Sequence, residues 1–483
     1  MKQHKEAEKK GIDLSSTEYV KTPEVKCISS GADPVVPITD KTNPKSTRLI
    51  MRVLEKENLN VAFYNVVSNK GAAGVDGMTV KELKPYLLKH WTRLQSELEK
   101  GIYRPRPIKK VEIPKPDGGV RMLGIPTVVD RFIQQALHQV LSPIWEEVFS
   151  DNSYGFRPGR SAAAGVLKSQ SYQNEGYKIV VDMDLSKFFD EVNHKRLMSR
   201  VMEKTPGQWE IHRLIHRYLE TGMMIGGVVS QRVKGVPQGS PLSPLLSNIV
   251  LDELDKEIES RGLKHVRYAD DCNIYVKSKR SGDRVFNSIT NFLEKKMKLK
   301  VNKDKSKVDR PVNRKFLGFS FYYKKGGVGI RVAPKSISRL KDKIRELCKY
   351  GKSMNLEIFI HEKLNPCLRG WFNYYRIADM QSLCHDLDQW IRHRLRNIMW
   401  RQWKRNWTRY INLCKAGLPK GEARKAAFSS KGPWHNACSL PMNAAFPISY
   451  FDNLGLFCFK AQYMRFKQLI NGTAVYGSVR TVV

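Results

Sequence analysis

Two short strands and a tight turn are encoded in Val266-Arg267-Tyr268-Ala269-Asp270-Asp271-Cys272-Asn273-Ile274-Tyr275-Val276. Apolar residues alternate with other residues on both sides of the turn, which is the period-two pattern of half-buried strands. The adjacent carboxylates of Asp270 and Asp271 therefore fall at the tip of a predicted β-hairpin, where they could hold a metal ion. A solvated turn is the alternative, because aspartate is a common turn residue.

A second apolar strand also ends in acids, in Ile179-Val180-Val181-Asp182-Met183-Asp184-Leu185-Ser186-Lys187-Phe188-Phe189-Asp190. Strand residues alternate faces, so Asp182 and Asp184 share a side, and Asp184 is nearer to the strand end. Either could join Asp270 and Asp271 around one hollow, where the carboxylates would repel one another unless cations lay between them. We expect Mg²⁺ there, because Mg²⁺ prefers oxygen ligands and is held by one or two carboxylates together with substrate phosphates.

A basic hairpin is predicted upstream, in Ile113-Pro114-Lys115-Pro116-Asp117-Gly118-Gly119-Val120-Arg121. Its Pro-Asp-Gly-Gly turn separates two short strands, so Lys115 and Arg121 would project from the tip. Cations in that place suit a triphosphate, and an ordinary basic hairpin is the alternative. Further downstream, Pro237 and Gly239 interrupt the chain before an apolar helix that is predicted from about Leu242 to Ile258.

Eight ordered segments, including those above, resemble the motifs of the reverse transcriptases encoded within bacterial group II introns, also called maturases. The segments are residues 71–78, 113–121, 153–158, 179–190, 235–244, 268–271, 299–307 and 316–319. The resemblance implies an α+β fold, in which a right-hand polymerase with fingers and an antiparallel palm sheet precedes a helical thumb, or X, domain. Many relatives carry an HNH endonuclease with paired Cys-x-x-Cys motifs. None of the eight cysteines here forms such a pair, so we expect the form without that domain and no zinc site.

The resemblance also implies roles for individual residues. Asp184, Asp270 and Asp271 would be catalytic, and together with Leu185 they would hold two Mg²⁺ ions, for which Mn²⁺ could substitute. Two such ions about 3.5 to 4 Å apart activate an attacking hydroxyl and stabilise the leaving oxygen of an in-line phosphoryl displacement.

The nucleotide would be bound by residues that the resemblance places around these acids. They are Lys115, Arg121, Phe188, Gln238 and Lys305. Gln238 would lie beside the templating base or incoming nucleotide, Phe188 would exclude a ribose 2′-hydroxyl, and Lys305 would protonate pyrophosphate. The alternatives are a filler in a helix-entry loop for Gln238, core packing for Phe188 and a solvated basic run for Lys305.

Charge independently indicates a polyanionic partner. The chain has 84 Lys plus Arg against 47 Asp plus Glu, a formal net charge of +37. Residues 331–483 alone contain 27 basic and 9 acidic residues, so about half of the surplus lies in under a third of the chain. Counter-ion release should dominate binding, and affinity for nucleic acid should therefore fall steeply with salt.

A basic amphipathic helix is predicted in the segment 391–405. Ile391, Leu395 and Ile398 share one helical face, which is expected to be core. The basic residues around the remainder are expected to contact RNA phosphates, with a plain solvated helix as the alternative. They are Arg392, Arg394, Arg396, Arg401, Lys404 and Arg405.

The predicted organisation has five parts. A flexible extension (1–46) precedes a helical region (47–100), the fingers and palm (101–330), the thumb or X domain (331–430) and a basic DNA-binding-like tail (431–483). No apolar run reaches the roughly 18 residues of a membrane span. Scattered cysteines and the lack of a signal peptide predict a reducing, bacterial cytoplasmic location.

The sequence thus predicts an RNA-directed DNA polymerase that binds its own group II intron RNA, assists its splicing and copies it into DNA during retrohoming. Its partners would be that RNA, the DNA target and primer strand, and deoxynucleoside triphosphates, with no membrane; the oligomeric state stays open. Two alternatives remain: a reverse transcriptase of the same lineage used in host defence or CRISPR spacer acquisition, and an RNA-binding splicing factor without polymerase activity. The three aspartates argue against the second alternative, because a protein that only binds RNA has no need of them.

Overall fold

The computed structural model describes residues 48–114, 120–225, 228–230 and 232–475. Two compact units are resolved among them, the first ending at Arg310 and the second beginning at Pro311. The predicted flexible extension and Lys115 of the predicted hairpin lie outside the described residues. Within the described ranges, no helix combines the length and the apolar character that crossing a membrane requires.

The first unit is a mixture of helices and antiparallel strands. Its helices are α1 (Leu49–Val53), α2 (Lys56–Ser68), α3 (Leu83–Glu99), α4 (Val128–Glu146), α5 (Ala162–Asn174), α6 (Phe188–Glu191), α7 (His194–Lys204), α8 (Trp209–Glu220), α9 (Ser243–Ser260) and α10 (Lys279–Asn291). Its strands are β1 (Ile108–Pro114), β2 (Val120–Ile125), β3 (Ile179–Met183), β4 (Met223–Ile225), β5 (Val228–Ser230), β6 (Lys264–Tyr268), β7 (Asp271–Val276) and β8 (Lys307–Asp309).

The helices before β1 pack against α4. Trp91 of α3 is 1% exposed, and its ring meets that of Phe132 edge-on at 6.2 Å between centroids. The buried Asn58 amide donates to the carbonyls of Val53 and Ala136 at 2.9 and 3.1 Å. One polar side chain thus joins α1, α2 and α4 without an unsatisfied group.

Four antiparallel strands in the order β6-β7-β3-β8 form the sheet that carries the predicted acids. Its core positions are apolar, with Val181, Val266 and Ile274 each 0% exposed. In β3 and β7, Met183 lies opposite Cys272, so Asp184 and Asp271 are the next residues along the two strands. The register therefore brings the end of β3 to the turn between β6 and β7.

A second sheet of the first unit has the order β2-β1-β4-β5. β1 and β2 form the predicted antiparallel hairpin, with Ile113 opposite Arg121, and β1 also pairs in parallel with β4. The predicted helix after Gly239 is also confirmed, since α9 spans Ser243–Ser260 and is buried over most of its length. The mixture of antiparallel sheets and helices confirms the predicted α+β class.

The second unit contains a three-stranded sheet followed by helices. Its strands are β9 (Lys315–Phe316), β10 (Phe319–Lys324) and β11 (Gly327–Val332), and its helices are α11 (Pro334–Tyr350), α12 (Leu356–Phe359), α13 (Asn365–Tyr375), α14 (Gln381–Gln402), α15 (Asn406–Lys415), α16 (Lys420–Ala427), α17 (Pro433–Ala437), α18 (Leu440–Ala445), α19 (Ile448–Asn453) and α20 (Phe459–Val475). A tight turn, Gly351–Ser353, links α11 to α12.

The boundary of the first unit falls earlier than the predicted end of the polymerase segment at residue 330. The reason is that β9 to β11 pair with one another and bond to the helices that follow. The Tyr374 hydroxyl donates to the carbonyl of Leu317 at 3.0 Å, and the Asp379 amide donates to the carbonyl of Ile330 at 2.7 Å. This small sheet is therefore packed as part of the helical unit.

The long helix α14 is the centre of the second unit and packs against α11, α17 and α20. Trp400 near its end is 1% exposed. The Asp388 carboxylate accepts hydrogen bonds from the first two amides of α20, those of Phe459 and Lys460, both at 2.9 Å. An acid on α14 thus caps α20 and stabilises the positive end of its dipole.

We expect Trp91→Ala to lower the free energy of unfolding by about 3 to 5 kcal/mol, because it leaves a cavity where an indole packs on Phe132. Chemical denaturation measures the change. Trp209→Ala is the matched control, because Trp209 is 48% exposed and should cost less than about 1 kcal/mol. Equal losses for the two variants would contradict the placement of Trp91 in the core.

Candidate active site

The backbone on both sides of Asp184 is fixed by the segment before β8. The Asp184 amide donates to Ser306 Oγ at 2.9 Å, and the Asp184 carbonyl accepts from the Asn302 amide at 2.8 Å. The Ser186 amide in turn donates to the carbonyl of Lys300 at 2.8 Å. These bonds hold the residue after β3 in an extended conformation, with its side chain 28% exposed.

The two acids of the hairpin occupy different environments. Asp270 lies in the turn and is half-buried, whereas Asp271 is the first residue of β7 and is exposed. Burial raises the pKa of the Asp270 carboxyl, and the nearby charge of Asp184 raises it further, against the opposing charges of Arg121 and Arg267. Asp184 and Asp270 are therefore close enough to repel each other when both are ionised.

The donor atoms at this edge fit a hard divalent cation. Two repelling carboxylates favour a cation between them, and the ammonium of Lys305 already lies 3.4 Å from Asp184 Oδ2. The antiparallel bridge of Leu185 with Val301 is closed by bonds of the flanking residues, so the Leu185 carbonyl points away from Val301. Carboxylate and carbonyl oxygens are ligands that suit Mg²⁺.

The side chains are not gathered into a finished cage, however. Among the residues that the structure describes, no group of three His, Cys, Asp or Glu side chains is close enough to hold a metal ion. The backbone register therefore brings the predicted ligands to one edge, while their full convergence on a metal stays a prediction. Asp182, the other acid of β3 that could join Asp270 and Asp271, lies opposite Asn273 and Lys307 within the sheet, two residues before Asp184.

A buried cation lies beneath the turn, and the sequence analysis gave it no role. The guanidinium of Arg267 is 0% exposed and pairs with Asp255 of α9 through Nε to Oδ1 at 2.7 Å and Nη2 to Oδ2 at 2.6 Å. Its remaining bonds reach Asn248 Oδ1 at 3.0 Å, the Ala269 carbonyl at 3.0 Å and Ser153 Oγ at 2.8 Å. The sequence does carry a signal for this ion pair, because an acid, Asp255, lies in the apolar helix α9 and a base, Arg267, lies in the strand that follows it.

The motif at 153–158 packs against the same turn. The amide of Tyr154 donates to the carbonyl of Arg267 at 2.8 Å, so the chain before α5 runs beside β6. A Cβ at Gly155 would lie under 3.0 Å from the amide nitrogen of Ala269, which no ordinary contact tolerates. Glycine at 155 therefore lets this segment touch the turn backbone directly.

Two predicted nucleotide-binding residues are brought together. Arg121 Nε of β2 donates to Gln238 Oε1 at 2.9 Å, and the amide of Gly124 donates to the Gln238 carbonyl at 2.8 Å. Gly239 has φ +101°, and a Cβ there would lie 2.7 Å from the carbonyl oxygen of Gly124. The basic hairpin and the loop before α9 are thus joined close to Asp270, whose pKa Arg121 lowers.

Phe188 and Lys305 flank the acids in different ways. Phe188 begins α6, is 3% exposed and packs edge-on against Phe189 at 5.3 Å between ring centroids. Its place in the core agrees with the packing alternative, and its role toward a ribose stays a prediction. Lys305 is 69% exposed and reaches Asp184, which leaves its ammonium accessible to a ligand.

The predicted RNA-binding residues divide into two groups in the second unit. Arg392 and Arg396 are 8% and 7% exposed, contrary to the expectation of an exposed basic face. Arg396 donates through Nε and Nη2 to the carbonyl of Phe446 at 3.0 and 2.7 Å, and burial lowers its pKa to about 10. The reason is that α14 is surrounded by other helices, so both guanidinium groups lie inside the unit.

The other predicted RNA-binding residues lie at or near the surface. Arg394 is half-buried between the rings of Trp390 and Trp434, at 5.0 and 4.6 Å from their centroids. Arg401, Lys404 and Arg405 at the end of α14 are exposed. Arg401 and Lys404 line an open hollow together with Lys352, Ser353, Met354 and Gln402, and Gln402 Nε2 holds the carbonyls of Gly351 and Met354 at 3.0 and 2.8 Å.

Two family models and several known proteins match parts of this chain. A family model described as reverse transcriptase (RNA-dependent DNA polymerase) matches residues 113–321, and one described as group II intron, maturase-specific domain matches residues 337–416. Protein YkfC of Escherichia coli (strain K12) is 32% identical over 301 residues, which cover 54% of this chain and 79% of that protein. Group II intron-encoded protein LtrA of Lactococcus lactis subsp. cremoris is 34% identical over 229 residues, which cover 46% of this chain and 37% of that protein.

Similarity to solved structures is weaker. A partial Cas6-RT-Cas1--Cas2 complex contains a chain that aligns with a TM-score of 0.34 and 24% identity. The alignment covers 51% of this chain and 42% of that chain.

Because of the Arg267–Asp255 pair, the free energy of unfolding should depend on pH in the acidic range. Burial by itself raises the pKa of Asp255, but Arg267 and His265 outweigh it and lower the pKa to about 2. This stabilisation is complete above the unfolded pKa near 4 and is lost as the pH falls toward 2. Between pH 6 and pH 3, we expect the free energy of unfolding to fall by about 1 kcal/mol more in the wild type than in Asp255→Asn, as measured by chemical denaturation.

Asp252→Asn is the control for this experiment. Asp252 is also fully buried in α9, but burial raises its pKa, so its effect on the acid dependence has the opposite sign. An acid profile of Asp255→Asn that parallels that of the wild type would contradict the assignment.

Proposed function

Because the chain belongs to the family of group II intron reverse transcriptases and maturases, we propose that it is an RNA-directed DNA polymerase that also binds its own intron RNA. It would assist the splicing of that RNA and copy it into DNA during retrohoming, in the bacterial cytoplasm. The observation that supports the proposal is the register of β3 and β7, in which Met183 lies opposite Cys272, so that Asp184 follows the one and Asp271 precedes the other. The chain spans 37% of the length of LtrA, so these whole-protein activities are proposals.

The acids would bind the metal ions of nucleotidyl transfer. Asp184, Asp270, Asp271 and the carbonyl of Leu185 would hold two Mg²⁺ ions, or Mn²⁺ in their place. When bound, such ions activate the attacking 3′-hydroxyl of a primer and stabilise the leaving oxygen. Burial chiefly raises the pKa of Asp270 and the charge of Asp184 adds to it, and a bound cation would offset both effects.

Residues of the fingers and the adjoining loop would bind the deoxynucleoside triphosphate. Arg121 offers its guanidinium to phosphate oxygens, and its bond to Gln238 Oε1 orients it beside Asp270. Lys115 would add a second cation, and Phe188 would lie under the sugar. Lys305, with its exposed ammonium beside Asp184, would donate a proton to the leaving pyrophosphate.

The hollow at the end of α14 would bind the RNA backbone. Lys352, Arg401 and Lys404 surround it, and in the described part of the chain none of these three pairs with a carboxylate. Unpaired cations near one another repel, and a phosphodiester would neutralise them and release its own counter-ions, which favours binding. Arg405 and Arg394 extend the same basic surface, whereas Arg392 and Arg396 are not included because they are buried.

Neither alternative function is favoured. The maturase-specific match over residues 337–416 favours an intron RNA as partner over a role in host defence or spacer acquisition. The presence of three acids at one sheet edge favours polymerase activity over a splicing factor that only binds RNA. Splicing itself would need no protein chemistry, because the intron RNA would perform transesterification while basic surfaces hold its fold.

Primer extension on an RNA template with Mg²⁺ and deoxynucleotides tests the polymerase. Asp184→Asn should lower the rate about 1,000-fold or more, because several kcal/mol of transition-state stabilisation depend on the metal ligands. Asp182→Asn is the matched control, since it changes an acid of the same strand face two residues away and should keep the rate within about tenfold. Equal losses in the two variants, or synthesis by Asp184→Asn, would refute the assignment of Asp184.

RNA binding by the hollow is tested with Lys352→Gln plus Lys404→Gln. We expect weaker binding of intron RNA, and the slope of log Kd against log salt should fall by about one for each phosphate that the variant no longer neutralises. Lys343→Gln is the control, because Lys343 is an exposed lysine of the same unit that pairs with Glu346 at 3.0 Å. An unchanged salt slope in the double variant would place the RNA elsewhere, while synthesis on a short unstructured template serves to verify folding.

A further inference from the structure

Arg267 uses every hydrogen-bond donor that an arginine possesses. A guanidinium has five N–H groups, and five bonds are formed, two to Asp255 and one each to Asn248, Ser153 and the carbonyl of Ala269. The group is 0% exposed, so no water competes for these bonds. The arrangement joins α9, the segment before α5 and the turn of the hairpin at one point.

The turn needs such support. Ala269 has φ +55°, a left-handed conformation that residues with a Cβ rarely adopt. Its carbonyl accepts from Arg267 on one side, and its amide faces Gly155 on the other. The conformation of this one residue decides the direction in which the chain presents Asp270 and Asp271, the next two residues.

We propose that Arg267 is a positioning residue, which holds the Ala269 carbonyl through its bidentate pair with Asp255 and thereby aims the carboxylates of Asp270 and Asp271 at the metal ions. The inference rests on the proposed polymerase function. Arg267 would touch neither substrate nor metal; it bonds to the turn backbone, and its charge also lowers the pKa of Asp270.

A purely stabilising role explains the geometry less well. Buried ion pairs are often no more stabilising than apolar residues of similar volume, because both charges must leave water. Asp252 supplies the comparison within the same helix: it is equally buried, but its partners Arg200 and Lys256 contact neither the turn nor the acids. Of these two ion pairs, the one of Asp255 is bonded through Arg267 to Ala269, the residue before the two predicted metal ligands.

The test compares Arg267→Lys with Asp252→Asn. Lysine keeps the charge but has three donors on a single nitrogen and cannot reproduce the planar fork. Three quantities are measured: the Tm, the affinity for Mn²⁺ in a complex with a dideoxy-terminated primer on an RNA template and a deoxynucleotide, and the Mg²⁺ concentration for half-maximal primer extension. The Mn²⁺ titration involves no turnover, so it reports on the metal site even where synthesis fails.

We expect Arg267→Lys to weaken Mn²⁺ binding and raise the Mg²⁺ requirement by about 10- to 100-fold, the range found when groups that orient metal ligands are removed. Asp252→Asn should lower the Tm and leave both metal readouts unchanged. A wild-type metal response in Arg267→Lys would overturn the inference and leave Arg267 as a structural residue. A wild type that binds Mn²⁺ but makes no DNA would refute the proposed function, and the Mn²⁺ comparison would still decide the role of Arg267.

A milder variant covers the case in which Arg267→Lys does not fold. Asn248→Ala removes one acceptor from Arg267 and a donor to the carbonyl of Gly155, at 3.0 and 2.8 Å. It should shift both metal readouts in the same direction by a smaller factor. Metal responses equal to those of the wild type in a folded Asn248→Ala protein would overturn the inference.

Discussion

The antiparallel register between β3 and β7 determines where the chemistry of this protein can occur. Met183 lies opposite Cys272, and β3 is bonded on its other edge to β8, so the strand is fixed from both sides. Because side chains alternate across a sheet, a slip of one residue would turn Asp184 to the opposite face and separate it from Asp271. The hydrophobic contacts of Val181 and Ile274 oppose such a slip, since both would leave the core with it.

The protein as a whole is strongly basic, whereas the sheet edge that carries Asp184, Asp270 and Asp271 is acidic. The protein carries a net charge of +37, yet the edge of the palm sheet gathers acids whose mutual repulsion contributes to the raised pKa of Asp270. Nearby cations, Arg121 beside Asp270 and Lys305 beside Asp184, moderate that repulsion. A polyanionic substrate attracted by the general charge would thus meet, at the active site, a place that requires metal ions before phosphate can approach.

The sequence was sufficient for elements that depend on local pattern. The strands before Asp184 and around the Asp270 turn, the hairpin of β1 and β2, and the helix after Gly239 follow from alternation, turn residues and helix-entry signals.

Contacts between distant segments could not be predicted in this way. The bond between Arg121 and Gln238 joins residues 117 positions apart, and the Asp255–Arg267 pair depends on how α9 packs on the sheet. The burial of Arg392 and Arg396 does not follow from the sequence either. A basic helical face indicates exposure to solvent, whereas α14 is enclosed by helices that follow it in the chain. The packing of the small sheet β9 to β11 against the helices that follow it is likewise a contact between separate segments, which local pattern does not reveal.

The junction between the fingers hairpin and the loop before α9 is built largely from main-chain atoms: the amide of Gly124 meets the carbonyl of Gln238, and Gly239 fits against the carbonyl of Gly124. The main-chain part of this junction does not depend on which side chains the hairpin carries, although Arg121 adds a side-chain bond to Gln238. Related chains could therefore exchange the residues that face a template or nucleotide and alter substrate preference, while the hairpin keeps its position. The close main-chain contact also restricts position 239 to glycine, because any side chain there would push the two segments apart.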